Sequence, residues 1–183
     1  MFALGFEGAG YPNPDDVTLL NLLPRIVDAI QIPVIACGGI ADRRQFLAAL
    51  SMGAEGVMMG TRFMLTKESP VHPNAKKALV EANETDTVII QRSLGTQSPA
   101  FRNRTAQRIL EMESKGTSRD ELRAVMGGSR SNALLDGDIE GGGLGCGQGI
   151  GLIDGTPSVK EVIDDMTNGA MARLKDMGPR WQL

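Results

Sequence analysis

Two short segments of this chain set glycine at the end of a strand-like run in a way that suits an anion. In Ala36-Cys37-Gly38-Gly39-Ile40, adjacent glycines leave backbone N–H groups approachable without Cβ obstruction. Asp42 follows as a helix cap, and a helix N-terminus adds a dipole that favours negative charge. Met59-Gly60-Thr61-Arg62 repeats the theme and adds a hydroxyl donor and a cation. Either turn alone is also what an ordinary tight strand-to-helix connection looks like. Both together, at consecutive strand ends, favour phosphate binding.

Other residue types invite chemistry less strongly. Glu7 stands at a strand end, where a carboxylate could act in a reaction; we read it as holding its loop through backbone hydrogen bonds. Tyr11 follows the turn Gly8-Ala9-Gly10 and could donate a hydrogen bond, although with a pKa near 10 a tyrosine is a poor base at neutrality. His72, the only histidine, follows Ser69-Pro70-Val71 in a loop and is read as structural. Cys37 and Cys146 lie far apart, without metal-type spacing or a redox partner, and read as ordinary thiols of a reduced, cytoplasmic protein. The pair Met58-Met59 is most simply core filling.

The elements that must position these residues can be read from periodicity. Met1 to Phe6 resembles the tail of a buried strand. A domain rarely begins with such a run, so further sequence upstream is expected. Leu19, Leu20, Leu23, Ile26, Val27 and Ile30 recur at helical spacing. Ile32 to Cys37 is an apolar run without alternation, as in a strand covered on both faces, and Gly56 to Met59 is read as a second buried strand. A helix with Phe46, Leu47, Ala49 and Leu50 on its apolar side lies between them. Residues 2 to 61 therefore read strand, helix, strand, helix, strand, which implies a parallel sheet with right-handed crossovers. Periodicity does not choose between a doubly wound sheet and a TIM barrel.

From about Asn74 the chain turns mainly helical. Lys76 to Glu84, Ala106 to Lys115 and Arg119 to Met126 look like helices, and Thr87 to Ile90 could be a short strand. Gly137 to Gly155 is glycine-rich loop. Ser158-x-x-Glu161 is a capping-box pattern opening a last helix, with Val159, Val162, Ile163, Met166, Ala170 and Leu174 on its apolar face. The expected organisation is a βα unit region over 1–73 and a helical region over 74–183. A net charge of −3 with scattered basic residues argues against nucleic acid as a partner, and no apolar run reaches the roughly 20 residues needed to span a bilayer.

The string Gly5-Phe6-Glu7-Gly8-Ala9-Gly10-Tyr11-Pro12 is followed by Pro33-Val34-Ile35-Ala36-Cys37-Gly38-Gly39-Ile40-Ala41-Asp42. Then comes Gly53-Ala54-Glu55-Gly56-Val57-Met58-Met59-Gly60-Thr61-Arg62-Phe63, with Thr66 to His72 extending the pattern. In order and spacing these residues resemble the nitronate monooxygenase (2-nitropropane dioxygenase) family. Gly137-Asp138 and Gly147-Gln148-x-x-Gly151-Leu152-Ile153 look like the branch that includes NADH:quinone reductases. The resemblance covers essentially the whole chain and selects the C-terminal part of a TIM barrel, followed by the helical region.

It implies an FMN-dependent oxidoreductase that oxidises alkyl nitronates with O2 or reduces quinones with NAD(P)H. A flavin-dependent enoyl-ACP reductase, which shares these motifs, is the alternative. Gly38, Gly39, Gly60 and Thr61 match positions that hold the FMN phosphate. Gly8 and Gly10 match the turn beside the flavin, and Met59 is placed with them. Tyr11 stands where family members usually carry a histidine associated with the nitronate, so it is the candidate catalytic residue and keeps quinone-type chemistry level with nitronate oxidation. A full barrel typically takes about 250 residues. A part-barrel without activity of its own is therefore a second reading, pairing with another copy or with a missing N-terminal half and binding FMN weakly by itself.

Overall fold

The computed structural model describes residues 1–10, 14–127 and 133–181. Its centre is a three-stranded parallel sheet in the order β1 (Phe2–Leu4), β2 (Ile35–Cys37), β3 (Gly56–Met58). Phe2 pairs with Ile35 and Leu4 with Cys37, and on the other side Ile35 pairs with Gly56 and Cys37 with Met58. Helix α1 (Leu19–Ala29) connects β1 to β2, and α2 (Arg43–Ser51) connects β2 to β3. The side chain of Asp42 caps α2, accepting from Arg44 N at 2.9 Å and Gln45 N at 3.1 Å. Ala3, Leu23, Val34, Ala36 and Ala49 form the core between sheet and helices. Leu23 is fully buried, which contributes roughly 1.5–3 kcal/mol.

Only β2 is covered as a central strand. Beside it β3 is an edge among the described residues, so Met58 is 37% exposed and is not core filling. Leu20 is likewise exposed, although it shares the periodic run of α1.

After β3 come a short helix α3 (Thr61–Met64) and α4 (Pro73–Val80). Helix α4 starts before Lys76 because His72 caps it: His72 Nδ1 accepts from Asn74 N at 3.1 Å, the structural role expected of this residue. Strand β4 (Thr87–Ile90) finds an antiparallel partner, β5 (Ser98–Phe101), in a region that reads as mainly helical from sequence. Pro99 within β5 hides that strand, since proline donates no ladder hydrogen bond and is confined to edges. Helices α5 (Arg104–Ser114) and α6 (Arg119–Gly127) pack with the hairpin through Ile90, Ala100, Ile109 and Leu122.

The last helical stretch begins with the expected capping box, in which the Ser158 hydroxyl and backbone face the Glu161 carboxylate. It runs as α7 (Val159–Asp164), a π segment (Asp165–Gly169) and α8 (Ala170–Trp181). Val162, Met166 and Ala170 are buried, but Ile163 and Leu174 are exposed, against their assignment to the apolar face. The π segment inserts into the helical phase, and Leu174 lies on the outer part of α8, where residues 171–176 are all exposed. Arg43 of α2 pairs with Asp165 and packs on Gly169, tying this stretch to the sheet's helices. Among the described residues no helix is long and apolar enough to cross a membrane, and no group of three or more His, Cys, Asp or Glu could hold a metal.

Candidate flavin-phosphate site

At the C-terminal ends of the three strands lies a cavity of about 270 Å³. Gly8, Gly10, Gly38, Gly39, Met59, Gly60 and Thr61 all line it, so residues far apart in sequence meet in one place. Tyr11, the candidate catalytic residue, lies outside the described residues.

The glycines serve different ends. Gly38 has φ +101°, and a Cβ there would sit 2.7 Å from Gly5 O. Gly39 has φ +73°, and its Cβ would meet Glu7 Cβ at 2.9 Å. These two are required by the turn itself. Gly60 is different: its φ is −92°, which any residue adopts, and a Cβ would meet nothing within 4 Å. Neither backbone strain nor packing among the described residues compels glycine at 60, and its hydrogen leaves room in the cavity. A cradle that a Cβ would begin to fill fits an anionic group held by backbone N–H donors.

Glu7 binds the frame together, as expected, through the backbone. Its carboxylate accepts from Leu19 N at 3.0 and 3.2 Å, at the start of α1. Its carbonyl accepts from Gln148 N at 2.9 Å. The C-terminal glycine segment thereby docks onto the strand ends, and Gly147 N donates to Thr61 Oγ1 at 2.9 Å. The Thr61 hydroxyl proton stays available to donate to a ligand. A Cβ at Gly147 would lie 2.9 Å from Glu7 O, and one at Gly149 would lie 2.2 Å from Gly39 O. Sequence reasoning treated this segment as loop; its glycine density was the available signal that two backbones approach closely.

Sequence reasoning also missed the hairpin's share of the cavity. Ile90, Gln91, Ser98 and Ala100 line it, and Gly10 N donates to Ser98 Oγ at 3.0 Å. Arg92 clasps the hairpin tip to the loop after β1, pairing with Asp16 at 2.8 Å and lying over the Phe6 ring at 5.9 Å.

Arg62 is corrected from a phosphate-side cation to a structural tie. It is 6% exposed, does not line the cavity, and its Nη2 donates to Leu65 O at 3.1 Å and Gly155 O at 2.9 Å. Burial lowers its pKa, opposed by nearby Asp154 and Asp165, and its Nε is buried without a hydrogen-bond partner among the described residues.

Both thiols are buried and free. Desolvation raises Cys37, opposed by a hydrogen bond with the Gly38 backbone, and pushes Cys146 up to about 12. Thiolate is the reactive form. At pH 8 both should therefore resist iodoacetamide in the folded protein and react once urea unfolds it, as intact mass would show; rapid native labelling would refute their inertness. Because the unfolded thiol ionises first, Cys146 should also subtract stability as pH rises from about 9 towards 12.

Parallel βα units with glycine turns lining one cavity at the carboxyl ends of the strands define an α/β protein. Residues 3–169 match the family model described as nitronate monooxygenase, and the chain belongs to that family. It is 32% identical to a "Probable nitronate monooxygenase" of Bacillus subtilis (strain 168), over 88% of this chain and 47% of that protein. It is 30% identical to a (3aS,4S,5R,7aS)-5-hydroxy-7a-methyl-1-oxo-octahydro-1H-indene-4-carboxyl-CoA dehydrogenase of Rhodococcus jostii (strain RHA1), over 95% of this chain and 59% of that protein. Among solved structures, FabK from Thermotoga maritima superposes with a TM-score of 0.91 at 36% identity, covering 98% of this chain and 56% of that one. The chain thus spans about half the length of these relatives. Its fold is the C-terminal part of a TIM barrel followed by a mainly helical region.

Proposed function

We propose that this chain carries the FMN phosphate cradle and one wall of the active site of an FMN-dependent oxidoreductase. The observation that carries the reading is the convergence of three turns, Gly8–Gly10, Gly38–Gly39 and Gly60–Thr61, on one cavity, with Gly60 free of any local reason to be glycine. In this role the backbone around Gly38, Gly39 and Gly60 and the Thr61 hydroxyl hold the phosphate, while Gly8, Gly10 and Met59 lie along the flavin. When bound, FMN supplies electron transfer between a donor and an acceptor. The chain's residues orient it and, through Met58, Met59, Ile90 and Leu144, keep water from one side of the cavity.

The reaction proposed is oxidation of alkyl nitronates with O2 or NAD(P)H-dependent quinone reduction. An enoyl-ACP reductase-like activity is the second reading, favoured by the likeness to FabK. The open edges of β1 and β3 supply the reason to expect a further barrel half, contributed by upstream sequence or by a partner copy, since exposed strand edges seek pairing. The region 74–183 then packs on the barrel and closes one side of the site.

The test is to incubate the purified protein with FMN, desalt, record the absorbance spectrum and add NADH anaerobically. Retained flavin that bleaches with NADH supports the reductase arm. Retained flavin that bleaches only with a nitronate supports the monooxygenase arm, and absence of any FMN binding in a direct titration refutes the reading. Tyr11→His should raise nitronate oxidation more than NADH oxidation in the assembled enzyme; equal changes in both rates would remove Tyr11 from the chemistry.

A further inference from the structure

Gln91 follows β4 and lines the cavity, and three separate features mark it. Its backbone is left-handed, with φ 69° and ψ 23°, a conformation that costs any residue with a Cβ and that Gly would adopt freely. A dedicated clamp holds that conformation: Glu113 of α5 accepts from Gln91 N at 3.0 Å and from Ser93 N and Oγ, each at 2.8 Å. The residue is 7% exposed and lines the cavity next to the buried apolar side chains of Ile90, Ala100 and Ile109. A polar side chain on an apolar floor, in a conformation that favours glycine, breaks two local rules at once, and such breaks concentrate at working sites.

The hydrogen bonds leave one group of Gln91 unspent. Its carbonyl accepts from Leu94 N and Thr96 N, and Thr96 Oγ1 donates to its Oε1 at 3.1 Å. Its Nε2 has no partner among the described residues. On the hairpin wall Ser98 Oγ accepts from Gly10 N, and on the cradle side Thr61 Oγ1 accepts from Gly147 N and keeps its proton for the phosphate. No Asp, Glu, Lys, Arg or His lines the cavity among the described residues. An uncharged amide donor beside buried apolar side chains suits a neutral oxygen, whose burial a single hydrogen bond offsets.

We propose that Gln91 is a specificity-determining residue whose Nε2 donates a hydrogen bond to the neutral carbonyl or quinone oxygen of an otherwise apolar molecule bound beside the phosphate cradle. The assignment rests on the oxidoreductase reading above, and it selects the neutral-acceptor arm of that reading over the nitronate arm.

The test uses the 183-residue chain and 1,4-naphthoquinone as probe, with dissociation constants from NMR titration in the presence and absence of FMN. Gln91→Gly removes the amide and relieves the backbone, so its thermal midpoint should equal or exceed that of the wild type while quinone affinity falls about ten-fold. Gln91→Met keeps the size and the strain without the amide and should lose affinity to the same degree. FMN titration should be unchanged in both variants. A merely structural Gln91 would shift the midpoint and leave quinone affinity alone. Affinities within two-fold of wild type in either variant, or no quinone binding by the wild type, overturn the proposal. Failure of the wild type to bind FMN at all sinks the oxidoreductase reading instead, and the quinone titration without FMN still decides for or against Gln91.

Discussion

Gly38→Ala is expected to destabilise the protein by roughly 3 kcal/mol or more, combining a left-handed backbone worth about 1–3 kcal/mol with steric crowding of similar size. The crowding is specific. With φ at +101°, a Cβ would press to 2.7 Å from Gly5 O and 3.1 Å from both Gly5 N and Gly8 N. Those atoms belong to the turn after β1, which is itself held by Gly5 N donating to Cys37 O at 2.9 Å and Gly8 N donating to Gly5 O at 3.1 Å. Backbone on both sides leaves no flexible atom to yield. Gly10→Ala separates the two contributions, because Gly10 also has positive φ, +93°, yet a Cβ there would meet nothing within 4 Å among the described residues. It should cost only the conformational part, about 1 kcal/mol. Urea unfolding of the two variants checks the difference; equal losses would mean that the close approach of β1 and β2 turns is not what demands glycine at 38.

Gly60→Ala should do the reverse. Its φ of −92° and its open surroundings let alanine fit, so stability should stay within about 0.5 kcal/mol of wild type or rise slightly. Binding of FMN should weaken at least ten-fold, because a methyl group would stand where a phosphate approaches the backbone and would cost roughly 1.4 kcal/mol or more of interaction. Fluorescence titration of FMN, alongside a thermal melt, reads both quantities. Unchanged FMN affinity would remove the Gly60 turn from the proposed cradle. A joint loss of stability and affinity would make Gly60 a folding residue like Gly38. The two substitutions thus distinguish glycine required by the chain from glycine left open for a ligand, a distinction that identical residue types conceal.

That distinction also marks how far the linear chain could be read. The βα alternation over residues 2 to 61, the Asp42 cap and the Ser158–Glu161 capping box are local features, set by periodicity and by side chains bonding to backbone two or three residues away. The glycine turns at strand ends were legible for the same reason, and their order and spacing carried the family resemblance, which the match over residues 3–169 bears out.

Long-range matters were not legible. Met58 and Met59 are adjacent methionines, but the first is 37% exposed because β3 has no neighbour beyond it among the described residues. Arg62 follows the glycine turn like a phosphate ligand, yet the first turn of α3 aims it at Gly155 O, a partner 93 positions away. The seating of Ser98 on Gly10, and the docking of Gly147 and Gln148 on Thr61 and Glu7, depend on contacts between segments separated by 80 residues or more, and the clamp on Gln91 comes from Glu113, 22 positions away. By itself, then, the sequence determined the βα elements, their caps and the glycine turns at the strand ends, all of which rest on local bonding. Only the tertiary structure decided which glycines the chain needs for itself and which polar groups remain free to meet a ligand, because burial and hydrogen-bond partnership are properties of the packed whole.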